Sequence, residues 1–291
     1  MAKEKFDAYQ VITDQIVKAL EAGTRPWEKS WAGGVGGLPV RHNGEPYKGV
    51  NILILGLSGF TNPNWMTFKQ AQQYGGKVRK GSNATKIVFF KPLKVEDRVT
   101  KEEKNIPLLR TYNVFNAEQI EGLPERFYPG EEIVRNQGER IEAAEIFFAA
   151  QNANLVHEGS QAYYRPSLDQ IVMPAFGKFD DPEAYYGTLS HEFVHWTGAK
   201  RRLDRDLKTG FGSKDYAREE LVAELGSAFV MHTLGLSAEP REDHAEYLAE
   251  WLKVLREDKR AIFRASAAAQ RAADYLSANA NPETETKKEA A

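Results

Sequence analysis

Residues 190–196 read Ser-His-Glu-Phe-Val-His-Trp and contain the motif H-E-x-x-H. This motif can bind a metal ion only when it lies on an α-helix. Side chains four positions apart lie on one face of a helix, so His191 and His195 can both reach one metal ion. Glu192 lies beside this pair and can take a proton from a water molecule at the metal. The motif therefore predicts a helical metal site. The alternative is a helix that buries two histidines without binding a metal.

The residues around the motif favour a helix of about four turns. Asp181 is a suitable N-cap, and Pro182 fits the first helical position, where no backbone N–H is needed. Gly198 is typical of the residue that ends a helix. The two histidines then fall in the second half of this helix.

A second helix is predicted downstream, beginning near Tyr216. Its apolar side carries Leu221, Val222, Leu225 and Phe229. A catalytic zinc ion takes three protein ligands and keeps one open position, and a glutamate on this helix can supply the third ligand. Glu220 and Glu224 are four residues apart and share a face, whereas Glu219 points elsewhere.

The two helices together resemble those of thermolysin-type zinc peptidases, in which the second helix provides a ligand glutamate and, four residues later, an acid that orients a histidine. This resemblance implies that Glu220 is the third ligand and that Glu224 is the partner of His191 or His195. The alternative for Glu220 is an ordinary solvated charge on a helix.

Several classes of protein are excluded or disfavoured by composition. The chain has no cysteine, so disulfides, thiol catalysis and cysteine-ligated zinc are excluded. No apolar run approaches the ~18 residues that a membrane span needs, so no membrane partner is expected. The first residues are not followed by the apolar core of a signal peptide, and a cytoplasmic location is expected.

The formal net charge of −2 hides a strong asymmetry along the chain. Residues 1–120 hold 18 Lys and Arg against 11 Asp and Glu, whereas residues 121–291 hold 21 against 30. The basic bias is strongest in residues 41–95, with 9 basic side chains and 1 acidic one. A basic module joined to an acidic one suggests that the first module binds a polyanion.

Aromatic side chains are interleaved with these cations, as in proteins that bind single-stranded nucleic acid. Cations follow the phosphates, and exposed rings stack on bases at ~1–3 kcal/mol each. Most tryptophans of a small domain are core residues, so we expect only one or two of Trp27, Trp31 and Trp65 to be exposed. The candidate DNA contacts are Arg25, Trp27, Trp31, Arg41, Tyr47, Lys48, Trp65, Lys69, Lys77, Arg79, Lys80 and Lys86.

An α+β fold with two domains is predicted. Residues 1–125 form a small basic α+β domain, and residues 126–136 form a linker within a stretch rich in proline, glycine and charge. Residues 137–278 form a mostly helical domain with a small sheet of two strands just before the metal helix. The polar residues 279–291 are predicted to be disordered.

Motifs in both halves of the chain resemble the ArdC-type antirestriction proteins, which are commonly carried on mobile elements. The N-terminal motifs are LEAGTRPW at 20–27, YKGVN at 47–51, WMTFKQA at 65–71 and VFNAEQ at 114–119. The C-terminal motifs are residues 190–198 and 219–229. The resemblance implies an N-terminal domain that binds single-stranded DNA and a C-terminal zincin-like metallopeptidase domain. It also implies that the protein protects incoming DNA from host restriction.

The expected cofactor is one Zn²⁺ per chain, with another divalent ion such as Mn²⁺ as the alternative. The expected reaction is hydrolysis of a peptide bond in an unknown protein substrate, which the N-terminal module would bring in if that substrate is DNA-associated. In a rival hypothesis, the protein coats single-stranded DNA as a shield and the metal only stabilises the fold. A metal-dependent nuclease is a weaker alternative, since nucleases usually use oxygen-rich or two-metal sites.

Overall fold

The computed structural model describes residues 7–27, 37–96, 103–128, 140–205, 207, 213–237 and 244–281. Trp31, most of the predicted linker and residues 282–291 of the predicted disordered tail lie outside these ranges. The part of the tail at 279–280 was predicted wrongly, because the last helix continues through Ala280.

In its described residues, the N-terminal domain combines three α-helices with a four-stranded and a two-stranded sheet. Its elements are α1 (Ala8–Glu21), β1 (Val40–Arg41), α2 (Val50–Gly56), β2 (Asn64–Met66), α3 (Phe68–Gln73), β3 (Lys77–Val78), β4 (Thr85–Glu96), β5 (Glu103–Asn116) and β6 (Ile120–Glu121). The larger sheet has the order β1-β2-β5-β4, and β3 pairs with β6. Strands β4 and β5 pair antiparallel from Thr85–Val114 to Glu96–Glu103 and form a long hairpin.

The C-terminal domain is mostly helical, as predicted. Its elements are α4 (Glu142–Ala149), β7 (Asn154–His157), β8 (Tyr163–Arg165), β9 (Gln170–Met173), α5 (Pro182–Thr197), α6 (Lys214–Thr233), α7 (His244–Glu257) and α8 (Ala261–Ala280). The small sheet has three strands, in the order β7-β9-β8, rather than the predicted two. The additional strand arises because a turn containing Asp169, with φ of 48°, separates β8 from β9.

The largest hydrophobic core is built by both domains together. Ile16 and Leu20 of α1 and Leu53 of α2 belong to the same buried cluster as the helices α5 to α8. Two smaller clusters lie within the N-terminal domain, one around Trp65 and the other around Met66. Helix α1 packs against α7 and α2 against α8, and these two C-terminal helices in turn pack on α6, which carries part of the predicted metal site.

Local sequence explains where the two metal-site helices begin and how closely they approach. The carboxylate of Asp181 accepts the backbone N–H of Ala184 at 2.8 Å, and Ser213 caps α6 in the same way. A side-chain carbon added at Gly226 of α6 would lie 2.8 Å from Cγ2 of Val194 in α5. Glycine at this position permits the close packing that brings the glutamates of α6 to the histidines of α5.

Among the described residues, no helix is both long enough and apolar enough to cross a membrane.

Candidate metal centre

The three predicted ligands meet at one point between α5 and α6. Nε2 of His191 lies 3.1 Å from Nε2 of His195. The carboxylate of Glu220 faces both rings, with one oxygen 3.4 Å from Nε2 of His191 and the other 3.5 Å from Nε2 of His195. One ligand atom from each residue lies within 4.8 Å of the others, which is the spacing of a group that can hold a metal ion.

The donor atoms fit a divalent cation because each histidine directs its other nitrogen toward a carboxylate. Nδ1 of His195 lies 3.2 Å from Oε1 of Glu219, and Nδ1 of His191 lies 3.8 Å from Oε2 of Glu224. An imidazole that carries its proton on Nδ1 keeps a lone pair on Nε2. With both histidines in this tautomer, two lone pairs and a carboxylate converge, an arrangement that a cation stabilises.

Glu219 does not point away from the site, contrary to the prediction made from helical spacing. It lies about 100° around α6 from Glu220, and the two carboxylates reach different nitrogens of the same His195 ring. The prediction was wrong because the spacing along α6 shows only which residues of α6 share a face. It does not show that the His195 ring of α5 lies between Glu219 and Glu220 and contacts both carboxylates.

Arg205 holds the Glu219 carboxylate in place from the loop that follows α5. Its Nη2 donates to Oε1 of Glu219 at 2.9 Å and its Nε to Oε2 at 3.0 Å, so the contact is bidentate. The same guanidinium donates to the hydroxyl of Thr197 at 2.9 Å. No motif marks Arg205 in the sequence, because its role depends on how the loop returns to α5.

The charges in this group shift the pKa values of His195 and Glu219 in opposite directions. Burial by itself would lower the pKa of the His195 imidazole, but the carboxylates of Glu219 and Glu220 raise it above its ordinary value. Burial would raise the pKa of Glu219, but hydrogen bonds from His195 and Arg205 hold it below its ordinary range. Glu219 is therefore a buried carboxylate that stays ionised because it is paired.

Replacing Arg205 with methionine is expected to lower the free energy of unfolding by about 3 kcal/mol, because it leaves the Glu219 charge buried without its bidentate partner. The two side chains are only 11% and 10% exposed. Urea unfolding of the metal-free protein measures the effect. The matched control is Arg256→Met, which removes an exposed pair with Glu21 and should cost less than about 1 kcal/mol. Equal losses in the two variants would contradict the structural role of Arg205.

Glu224 contacts a residue that was predicted to bind DNA. The indole Nε1 of Trp27 donates to Oε1 of Glu224 at 3.1 Å in a buried hydrogen bond. Trp27 is 1% exposed and packs edge-on against Trp251. Its position beside the predicted metal site could not be read from the sequence, since 197 residues separate it from Glu224.

Two further groups line the centre. Glu192 is 3% exposed, and its charge contributes to raising the pKa of His195. Tyr216 lies one turn before Glu220 on α6 and interacts with it, while its hydroxyl lies 3.3 Å from that of Tyr247. Burial, together with these neighbours, raises the pKa of Tyr216. Glu192 was predicted from the motif, whereas Tyr216 and Tyr247 were not.

Three of the predicted DNA contacts are buried, which corrects their assignment as stacking residues. Trp27, Tyr47 and Trp65 are 1%, 4% and 0% exposed. Their rings belong to the core clusters because a large apolar side chain gains more from burial than from solvent exposure. None of these three rings presents a face on which a base can stack.

The predicted cations lie mainly on the surface of the N-terminal domain. The exposed ones are Lys48, Lys69, Lys77, Arg79, Lys80 and Lys86, and the half-buried ones are Arg25 and Arg41. Three of them form ion pairs with solvent-exposed acids: Arg41 with Glu45, Lys48 with Asp274 and Arg79 with Glu121. Exposed pairs of this kind are weak, so these cations remain able to exchange an acid for a phosphate.

Exposed aromatic rings do occur in this domain, at positions that the sequence prediction missed. Phe89 on β4 and Tyr112 on β5 are 50% and 45% exposed, and their rings pack edge-on at 6.4 Å. Arg110, also exposed, pairs directly with Phe89 across the hairpin. The run Ile87-Val88-Phe89-Phe90 shows no apolar–polar alternation, so the sequence does not indicate which of these rings face solvent.

Two family models match the chain. Residues 6–115 match the N-terminal domain of the anti-restriction factor ArdC, and residues 142–268 match a zincin-like metallopeptidase. The predicted linker lies between these two matched regions.

Solved structures and curated relatives are similar over nearly the whole chain. The metal-free antirestriction ArdC protein from plasmid R388 is 41% identical, with a TM-score of 0.83 over 94% of this chain and 98% of that one. Its Mn(II)-bound structure is 40% identical, with a TM-score of 0.80 over 95% and 99%. The protein y4eC of Sinorhizobium fredii (strain NBRC 101917 / NGR234) is 42% identical over 94% of this chain and 92% of its own length. DNA primase TraC of Escherichia coli is 38% identical over 95% of this chain, which spans only 27% of that relative.

Proposed function

The chain belongs to the ArdC-type antirestriction family, and we propose that it binds single-stranded DNA and holds a divalent ion at His191, His195 and Glu220. We further propose that it protects incoming DNA from restriction. The observation that carries the metal assignment is the convergence of two imidazole Nε2 atoms and one carboxylate within 4.8 Å.

Zinc is the proposed ion because a site of two imidazoles and one carboxylate suits it. Mn²⁺ is the alternative, and a Mn(II)-bound structure of the R388 ArdC protein supports a divalent ion in this fold. When bound, such an ion supplies Lewis-acid activation of a water molecule and of a substrate carbonyl.

Peptide hydrolysis is the reaction that these side chains support best. Glu192 is a buried carboxylate next to His191 and can accept the proton of the attacking water. The carboxylate of Glu219 orients His195 by a hydrogen bond, and the carboxylate of Glu224 faces Nδ1 of His191 at 3.8 Å. The phenol of Tyr216, kept protonated by its raised pKa, can donate a hydrogen bond near Glu220. The protein substrate is unidentified.

The proposed DNA surface is the exposed face of the β4–β5 hairpin together with the nearby cations. Phe89 and Tyr112 offer ring faces for stacking, and Arg110, which pairs directly with Phe89, is an exposed cation on the same face. Lys86 is also exposed, but it faces the opposite side of the hairpin. Phe90 is not included, because it packs 6.4 Å from both Tyr9 and Phe263. Lys77 on β3 and Lys80 just after it add exposed positive charge to the same domain.

Replacing Phe89 and Tyr112 together with alanine is expected to weaken binding of a fluorescent oligo(dT) at least about tenfold, since each stacked base contributes ~1–3 kcal/mol. Fluorescence anisotropy measures the affinity. Tyr163→Ala is the matched control, because this tyrosine is also exposed (37%) but lies in the C-terminal domain. Oligo(dT) affinity that is unchanged in the double variant would place the DNA surface elsewhere.

A second candidate function is a DNA-coating shield in which the metal is structural. The burial of the site favours it, because His191 and Glu220 are only 4% and 7% exposed and leave little access for a polypeptide. The two candidates differ in whether protection from restriction requires Glu192.

A further inference from the structure

Trp27 connects the N-terminal domain to the candidate metal centre by a chain of three side chains. It follows α1 and precedes the described residues of the N-terminal sheet. Its indole donates to Oε1 of Glu224, and Oε2 of the same carboxylate lies 3.8 Å from Nδ1 of His191. The carboxylate of Glu224 therefore has one oxygen on the tryptophan and the other facing a predicted ligand.

The surroundings of Glu224 make the indole hydrogen bond important for the orientation of the carboxylate. Glu224 is 5% exposed and His191 is 4% exposed, so solvent hardly contributes to fixing either side chain. A buried carboxylate depends on nearby donors to define its rotamer, and a hydrogen bond to a charged group is stronger than one between neutral groups. Trp27 is itself fixed by its edge-on contact with Trp251 at 6.1 Å.

Helix α1, which ends six residues before Trp27, is anchored to the C-terminal helices. Leu20 at the end of α1 is buried in the shared core. The hydroxyl of Thr13 donates to the carbonyl of Lys259 at 2.8 Å, and Lys259 pairs with Asp7 at 2.6 Å. These contacts dock α1 on the C-terminal domain a few residues before Trp27.

We propose that Trp27 is a positioning residue of the metal centre, which holds Glu224 against His191 and makes the N-terminal domain part of the site. This inference rests on the proposed binding of a divalent ion by His191, His195 and Glu220. The metal centre is then completed only when α1 is docked on the C-terminal helices.

The test compares Zn²⁺ affinity, measured by competition with a chromophoric chelator, in the full-length wild type and in Trp27→Phe. Phenylalanine keeps a buried ring but removes the N–H, and we expect Zn²⁺ to bind about tenfold more weakly, the lower end of the effect of outer-shell changes. Trp65→Phe is the matched control. It makes the same change at a fully buried site in the N-terminal domain, where the indole Nε1 has no acceptor among the described residues. Its Zn²⁺ affinity should stay within about twofold of the wild type.

A double-variant cycle separates positioning from a general loss of packing. If Trp27 acts through Glu224, Trp27→Phe should weaken Zn²⁺ binding much less in a Glu224→Gln background than in the wild type. If Trp27 only supports packing, Trp27→Phe should weaken Zn²⁺ binding by the same factor in the wild type and in Glu224→Gln. Should Trp27→Phe fail to fold, a benzothienylalanine at position 27, which replaces the indole N–H with sulfur at nearly constant shape, is used in its place.

The outcomes distinguish this inference from the function on which it rests. Absence of Zn²⁺ and Mn²⁺ binding by the wild type would overturn the metal site and the role of Trp27 with it. Tight binding by the wild type with equal affinity in the folded Trp27 variant would overturn the role of Trp27 alone. An equal loss in Trp65→Phe would do the same, because it would show that any buried tryptophan has this effect.

Discussion

Replacing Glu220 with alanine is expected to reduce the bound divalent metal from about one ion per chain to almost none. The substitution removes a proposed direct ligand, so we expect the affinity to fall by more than about 100-fold, the upper end for loss of an outer-shell partner. It leaves His191 and His195 in place, so any remaining metal affinity is that of the two imidazoles without the carboxylate. Mass spectrometry of protein purified without chelator measures the metal content, and chelator competition gives the affinity.

The control for this prediction is Glu142→Ala, which removes an exposed glutamate from α4 in the same domain. This variant should retain the metal content of the wild type. Full retention of metal in Glu220→Ala would mean that another group, such as Glu219, supplies the third ligand.

For the proposed peptidase, replacing Glu192 with glutamine is expected to reduce metal-dependent cleavage of a test protein, fluorescently labelled casein, by about 10²–10⁴-fold, the range for removal of a general base. Glutamine has the same shape but does not accept the proton of the attacking water. The metal should remain bound, because Glu192 is not one of the three grouped ligands. Initial cleavage rates, with metal content measured on the same samples, test the prediction.

The same variant distinguishes the two candidate functions. Plasmid transfer into a restricting host, with and without the variant protein, shows whether protection depends on Glu192. Loss of both cleavage and protection supports a catalytic role in antirestriction. Loss of cleavage with full protection supports the shield. Cleavage at the wild-type rate would contradict the role of Glu192 as general base, whatever the effect on protection.

The placement of the two histidines at the proposed metal centre follows from local spacing. His191 and His195 share a helical face because four residues make about one turn, and this holds wherever the helix is placed. Glu220 was assigned through resemblance to a known pair of helices, and the structure brings its carboxylate to both rings. The α+β class and the two-domain organisation also agree with the fold and with the two matched regions.

The errors concern burial and contacts between elements that are distant in the chain. Trp27 and Trp65 were considered for DNA stacking because they stand near cations, a criterion that carries no information about which ring faces the core. Glu219 was dismissed on helical spacing alone, although its partner belongs to another helix. Phe89 and Tyr112 were overlooked because their exposure depends on which face of the β4–β5 hairpin is covered by neighbouring helices.

The sequence alone thus determined the motif helix, its two histidines and their neighbouring glutamate, because these relations follow from the repeat of a single α-helix. Only the tertiary structure decided that Arg205 pairs with Glu219 and that Trp27 reaches Glu224 from the other domain. Those contacts form when α1, α5 and α6 bury their apolar faces in one core. Burial of that kind is set by the whole set of packed elements rather than by any local stretch of the chain.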